Sequence, residues 1–201
     1  MKTLFIPGCA LREYKPELIA RLTRFLMERG IADEVCTECC KSDAPIEEGA
    51  AIIDCCPGCS SQFARRYPGS SIRSLWQVLL ETDFPFPDYH GQKMSIQDSC
   101  RARNRYSQEM QESARALCRK MNIELCEPKY TRDQVRCCGG SAPDLETRRK
   151  MALRRAEDFP EKDVVVYCTG CARSLSMTAA APRHLLDLLF EEPTEGLYPK
   201  I

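Results

Sequence analysis

Ten of the fourteen cysteines fall into two sets that repeat the same order along the chain. Each set has a single cysteine, then an adjacent pair, then a Cys-x-x-Cys motif. The sets are Cys9, Cys39, Cys40, Cys56 and Cys59, followed by Cys100, Cys137, Cys138, Cys168 and Cys171. Because a tetrahedral zinc site takes four ligands, five thiolates suit a multi-iron cluster better. The repeat therefore predicts two related half-domains and up to two metal centres.

The spacing within each set also favours a cluster. A Cys-x-x-Cys motif places two thiolates on one turn, where they bind zinc or iron. Adjacent cysteines, whose Cα atoms lie about 3.8 Å apart, reach different irons of one cluster more easily than they close on one metal ion. Gly139 and Gly140 follow Cys138 directly, and they let the backbone turn with positive φ and approach a bulky inorganic centre.

Several alternatives stand beside the cluster. Structural zinc is the main alternative for the ten repeated cysteines, and a purely dithiol redox protein is another. Cys118, on a helical stripe, and Cys126, in a predicted strand, are interpreted as small buried hydrophobes. Cys36 and Cys55 neighbour the predicted ligands, so they are either spare ligands or bystanders, and we interpret them as bystanders.

The composition indicates a metalloprotein with its own core. A chain of 201 residues with 43% hydrophobic residues forms a core without a disulfide framework, so its 14 cysteines are typical of metal binding. The 29 basic and 29 acidic residues balance, and no charged tail suggests nucleic acid. The apolar start is too short for a signal peptide, and no apolar run reaches the roughly 20 residues of a membrane span. We expect a cytoplasmic protein that associates with a membrane complex only through a partner.

Alternating strand and helix patterns predict an α/β fold of two pseudo-repeated half-domains with small, mostly parallel sheets. Apolar runs predict strands at residues 3–6, 50–54, 93–98, 123–126 and 164–167. Helical spacing predicts helices at residues 16–29, 74–80, 106–121, 143–158 and 183–190. The proline-containing segment 83–88 is the predicted linker, so the half-domains are 1–88 and 89–201. In such sheets, sites form at the carboxyl ends of the strands.

Four motifs carry a resemblance to the cysteine-rich CCG domain family, which covers nearly the whole chain. They are Ile6-Pro7-Gly8-Cys9, Cys56-Pro57-Gly58-Cys59, Asp98-Ser99-Cys100 and Cys137-Cys138-Gly139-Gly140. The family includes the catalytic subunit of heterodisulfide reductase and related iron–sulfur oxidoreductase subunits. The resemblance implies a non-cubane [4Fe–4S] cluster on each set of five cysteines. It also implies that two clusters, rather than any side chain, reduce a disulfide or heterodisulfide together.

The first set departs from the family pattern. Lys41 follows Cys40 where the family has glycine, and 15 residues separate Cys40 from Cys56 against 29 between Cys138 and Cys168. The shorter interval predicts that one helix is missing from the first half. One or two clusters are therefore expected, and the first set holds a cluster, zinc or nothing.

The chain needs a partner for electrons because it has neither a GxGxxG element nor a ferredoxin-type cysteine run. A ferredoxin-like or flavin subunit is expected as donor or acceptor, with a small disulfide or thiol as substrate. The alternatives are an electron-transfer relay subunit of a dehydrogenase and a zinc-bound structural protein. Lys41, Arg101 and Arg103 adjoin the ligands. They either raise the cluster potential, bind a substrate carboxylate or face solvent, and we interpret them as solvent-facing. Arg148, Arg149 and Lys150, followed by Arg154 and Arg155, form a basic run. It is interpreted as a solvated helix face, with a docking patch as the alternative.

Overall fold

The computed structural model describes residues 2–37, 46–103 and 108–195. These residues form two compact units, and each unit contains one four-stranded sheet. The first unit holds the described residues up to Phe84 with 108–110, and the second holds 85–103 with 111–195. All strand pairs in both sheets are parallel, which confirms the predicted α/β class with two pseudo-repeated halves.

The first unit has strand order β2-β1-β3-β4. Its strands are β1 (Thr3–Ile6), β2 (Glu34–Val35), β3 (Ala51–Asp54) and β4 (Ser71–Ser74). Its helices are α1 (Cys9–Tyr14), α2 (Pro16–Glu28), α3 (Pro57–Arg66) and α4 (Leu75–Leu80). The inner strands β1 and β3 pair from Thr3 with Ala51 to Ile6 with Asp54, so they end at the same level of the sheet.

The second unit repeats the plan with strand order β6-β5-β7-β8. Its strands are β5 (Gln92–Gln97), β6 (Ile123–Cys126), β7 (Asp163–Val166) and β8 (Ala181–His184). Its helices are α5 (Gln108–Lys120), whose first three residues belong to the first unit, α6 (Leu145–Ala156), α7 (Thr169–Leu175) and α8 (Leu185–Leu188). Two short 3-10 turns span Cys100–Arg103 and Arg132–Gln134.

The order of the strands creates one switch point in each sheet. In the second unit the chain runs from β5 to the edge strand β6, then returns to β7 and continues to the other edge, β8. The first unit follows the same path through its four strands. Because the two inner strands are neighbours but lead in opposite directions, their carboxyl ends border a crevice where ligands bind in parallel sheets.

The predicted helices and inner strands follow from their apolar patterns. Pro16 starts α2, whose buried face is Leu18, Ile19, Leu22 and Leu26, and Gly30 follows the helix with φ 65°. In β7, the three valines Val164–Val166 are fully buried, as expected of an inner strand covered on both faces. Within the described ranges, no helix is both long and apolar enough to cross a membrane.

Edge strands account for several of the errors in the predicted elements. Residues 183–184 were predicted as helix, but they end β8, and the helix is confined to Leu185–Leu188. The strand contains Pro182, which pairs opposite Val164 and is tolerated because β8 is an edge strand. Neither β8 nor the polar β4 has an apolar run, so only their pairing with inner strands reveals them. The short β2, just before Cys36, was likewise predicted as loop.

Candidate functional site

The topology of the second unit places its cysteines at one edge of the sheet. Cys100 follows β5 and Cys168 follows β7, and these inner strands are hydrogen-bonded neighbours with Gln97 opposite Val166. The adjacent pair Cys137 and Cys138 lies in the loop between β6, on the other side of β5, and α6. The carboxyl ends of three neighbouring strands therefore lead to all five cysteines of the second set.

The sulfur atoms of this set contact one another in a chain. Cys100 Sγ lies 3.7 Å from Cys137 Sγ. Cys138 Sγ lies 3.3 Å from Cys171 Sγ. Further thiol hydrogen bonds join Cys137 to Cys138 and Cys171 to Cys168, and no disulfide joins any of the five. The structure thus brings together the five cysteines that the repeat singled out, and we call them the thiol cluster.

The position of Cys168 at the start of α7 favours its thiolate form. This residue is the N-cap of the helix, and Cys171 lies in the first turn. A hydrogen bond from the Cys171 thiol lowers the pKa of Cys168 to about 6 against the opposing effect of burial, and the backbone N–H groups of Cys171 and Gly170 contribute. A thiolate at a helix N-terminus is the form of cysteine that binds metals.

The thiols of the cluster compete for protons. Hydrogen bonds from Cys100 and Cys138 hold the pKa of Cys137 far below its usual value, and the Gly139 N–H donates to the same sulfur at 3.4 Å. Hydrogen bonds to neighbouring thiols raise the pKa of Cys100 and Cys171 well above theirs. Five sulfurs at these distances cannot all ionise unless a cation offsets their charge. A soft cation or a cationic cluster fits this set of donors.

Glycines allow the close approach of the two cysteine motifs. Gly139 has φ +82°, as predicted for this loop, and a Cβ there would lie 2.8 Å from the Arg148 carbonyl oxygen. A Cβ on Gly140 would lie 2.8 Å from the carbonyl oxygen of Gly170, inside the Cys168–Cys171 motif. The loop therefore packs backbone against backbone on the start of α7, which brings Cys138 to Cys171.

A buried hydrogen-bond network lies directly beside the thiol cluster. Asp98 is fully buried at the end of β5, and both of its oxygens accept from the Arg115 guanidinium at 3.0 and 2.8 Å. The Tyr167 hydroxyl donates to Asp98 at 3.0 Å and accepts from the Ser99 N–H at 3.2 Å. Thr131 donates to Asp98 at 2.8 Å. These bonds fix the residues just before Cys100 and Cys168.

Arg115 stabilises the buried charge of Asp98. Burial raises the pKa of Asp98, but the hydrogen bonds and charge of Arg115 outweigh it, so the net pKa lies below the usual value. Arg115 also pairs with Glu127, from Nε to Oε1 at 2.6 Å. Arg115 and Tyr167 were not among the predicted site residues. A signal was present in Gln97-Asp98-Ser99, three polar residues between a buried strand and a predicted ligand.

The first unit brings together part of the first set. Cys9 begins α1 after β1, Cys56 is the N-cap of α3 after β3, and Cys59 lies in the first turn of α3. Gly8 has φ +79°, and a Cβ there would lie 3.5 Å from Cys59 Sγ, so the segment before Cys9 lies against the Cys-x-x-Cys turn. Cys39, Cys40 and Lys41 lie outside the described residues.

The four remaining cysteines have contacts typical of structural residues. Cys118 is fully buried in α5, and burial raises its pKa to about 12. Cys55 is buried and donates from Sγ to the Pro7 carbonyl at 3.2 Å. Cys36 packs against the apolar core of the first unit, and Cys126 ends β6, half-buried. The contacts of Cys36 and Cys55 favour the bystander interpretation. Cys118 is buried as predicted for a small hydrophobe, whereas Cys126 is not fully buried.

Contacts within the thiol cluster are pairwise. In residues 2–37, 46–103 and 108–195, no three His, Cys, Asp or Glu side chains surround one point that a single metal ion could occupy.

Comparisons with protein-family models, with curated proteins and with solved structures found no match to this chain.

Proposed function

We propose that the second unit binds a [4Fe–4S] cluster through its thiol cluster and that the chain is an iron–sulfur oxidoreductase subunit reducing a small disulfide. The observation that supports the proposal is that five thiols meet at the carboxyl ends of β5 and β7 and in the loop between β6 and α6. Two of their sulfur–sulfur contacts measure 3.3 and 3.7 Å. Five soft donors exceed the four of a zinc site and match a centre with several irons.

The residues around the thiols have separate roles in this proposal. When bound, the cluster supplies electrons and Lewis-acidic iron for the cleavage of a sulfur–sulfur bond. The Gly139 N–H and the first turn of α7 stabilise the bound thiolates of Cys137 and Cys168. The bond between Tyr167 and Asp98 holds the two strand ends in register. These are the outer contacts that orient metal ligands in other proteins.

The reaction requires a second protein. One disulfide, two electrons and two protons give two thiols, and the chain has no sequence motif for nicotinamide or flavin. A ferredoxin-like or flavin subunit is the proposed electron donor. By the resemblance to the CCG family and to the catalytic subunit of heterodisulfide reductase, the first set would hold a second cluster, with zinc as the alternative.

Turnover under strict anaerobiosis tests the function. The purified holoprotein receives electrons from reduced methyl viologen, and three disulfides are offered: cystine, glutathione disulfide and 3,3′-dithiodipropionate. We expect two thiols for every two viologen radicals oxidised. Cys171→Ser should abolish this, while Cys118→Ser should not. Clusters that accept and return electrons, with no thiol formed from any disulfide, would instead support the electron-relay function.

A further inference from the structure

A cavity of about 460 Å³ adjoins the thiol cluster, and four of the nine residues that line it are arginines. Cys137 forms part of its wall, together with Arg103, Arg136, Arg154 and Arg155. A cavity of this volume is in the range that accepts small molecules. No carboxylate is among the described residues that line it, so its wall carries an excess of positive charge.

Arg155 is the most informative of these arginines. It was predicted to lie on a solvated helix face, but it is only 1% exposed. Its Nε donates to Gln97 Oε1 at 2.5 Å, and its Nη1 pairs with Asp158 at 3.0 Å. Its Nη2 is buried and donates to no group among the described residues. A buried guanidinium stays charged, and a donor without an acceptor is costly, so an anion in the cavity would stabilise it.

The other arginines leave positive charge available. Asp158 is shared, because Arg136 Nη1 also pairs with it at 2.9 Å. The Arg136 guanidinium also stacks over the Tyr130 ring at 3.5 Å, which holds its plane in the cavity wall. Arg154 is exposed at the cavity and forms no ion pair with the described residues. One carboxylate thus serves two arginines, and the remaining charge is unbalanced.

We propose that this arginine cavity binds the carboxylate end of the small thiol or disulfide on which the thiol cluster acts. Planar guanidinium groups bind carboxylates through paired hydrogen bonds. Because Cys137 also lines the cavity, the sulfur-bearing end of a ligand held there would lie beside the thiol cluster. The identity of the sulfur-bearing end rests on the proposed function. Recognition of the carboxylate rests on the arginines alone.

Calorimetry with two matched probes tests the cavity. The holoprotein is titrated with 3-mercaptopropionate and with 3-mercaptopropionamide, which have nearly the same shape and differ in charge. We expect the carboxylate to bind about tenfold more tightly, as a charge-assisted hydrogen bond allows. Arg154→Gln should reduce this difference, because it removes one of the four cavity arginines, without altering the affinity for the amide. Arg149→Gln is the matched control, because Arg149 is exposed on the same helix and does not line the cavity.

Equal affinities for the two probes would overturn the inference, as would an Arg149→Gln loss as large as that of Arg154→Gln. Propionate, which has no sulfur, separates this inference from the proposed function. Binding of propionate that depends on Arg154 supports the cavity even if no disulfide is turned over. Turnover of disulfides with no preference for a carboxylate leaves the proposed function standing and refutes the cavity.

Discussion

The Tyr167 hydroxyl donates to Asp98 at 3.0 Å, and this bond joins the ends of two neighbouring strands. Asp98 lies two residues before Cys100, and Tyr167 lies directly before Cys168. The same hydroxyl accepts from the Ser99 N–H. The Tyr167 side chain therefore fixes the segment before Cys100 relative to the segment before Cys168. The positions of these sulfurs are therefore set by a hydrogen-bond network as well as by the strands.

Tyr167→Phe should loosen the thiol cluster. The substitution keeps the ring but removes the donor to Asp98 and the acceptor of the Ser99 N–H. We expect a loss of about 1–3 kcal/mol in the free energy of unfolding, because buried partners are left unsatisfied. We also expect faster loss of bound metal to a chelator. Both are measured on purified protein, by urea unfolding and by the absorbance of the chelator complex.

Tyr89→Phe is the control for this variant. Its hydroxyl donates to the Leu188 carbonyl at 2.9 Å in the same unit, and neither residue adjoins a cysteine of the thiol cluster. It should lose some stability but keep the chelation rate of the unsubstituted protein. Equal chelation rates in Tyr167→Phe and Tyr89→Phe would show that the bond between Tyr167 and Asp98 does not position the thiols.

Gly140→Ala should separate Cys138 from Cys171. The new methyl group would lie 2.8 Å from the Gly170 carbonyl oxygen, and the backbone must move to relieve the contact. Such overpacking typically costs about 1–3 kcal/mol. We expect lower metal content and a lower unfolding midpoint. In the control Gly69→Ala, the nearest atom would lie at an ordinary 3.6 Å, and neither quantity should change much. Full metal content in Gly140→Ala would contradict the packing argument.

Asp98→Asn should strongly destabilise the second unit. Arg115 is 2% exposed, and it would lose its ion pair with Asp98 while keeping the one with Glu127. Breaking a buried ion pair by removing one partner costs about 3–5 kcal/mol. Far-UV circular dichroism in urea measures the loss. Asp83→Asn, which breaks the exposed pair with Arg29, should have little effect. Similar losses in the two variants would refute the role assigned to the buried pair.

His184 should make stability depend on pH. Burial lowers its pKa to about 3, and its Nδ1 accepts from the Leu186 N–H at 3.2 Å at the start of α8. Below about pH 6.5, the unfolded chain binds a proton that the folded chain does not. Stability should therefore fall as pH decreases from about 6.5, approaching about 1.4 kcal/mol for each pH unit.

His184→Asn keeps an acceptor for Leu186 and removes this titration. Between pH 7 and 5, the unfolding free energy of the variant should depend less on pH than that of the unsubstituted protein. His90→Asn is the control, because the His90 side chain is 85% exposed. An unchanged slope in His184→Asn would mean that His184 takes up protons equally in the folded and unfolded chains, and it would refute this prediction.

The sequence predicts the inner strands and the cysteine groups because each leaves a local pattern. Val164–Val166 and the repeated cysteine order are visible in a single window or a simple comparison of the halves. The edge strand β8 is not, because its polar residues become a strand only by pairing with β7. The burial of Arg155 within a basic run depends on Gln97, 58 residues earlier, which no local pattern contains.

The central claim is that the thiol cluster holds iron and sulfide. The direct measurement is iron, sulfide and zinc content of anaerobically purified protein, for the unsubstituted chain and for Cys171→Ser and Cys118→Ser. We predict about four to eight irons with equal sulfide per chain, a loss of about four irons in Cys171→Ser and no loss in Cys118→Ser. Zinc without iron or sulfide, or unchanged iron in Cys171→Ser, would contradict the account.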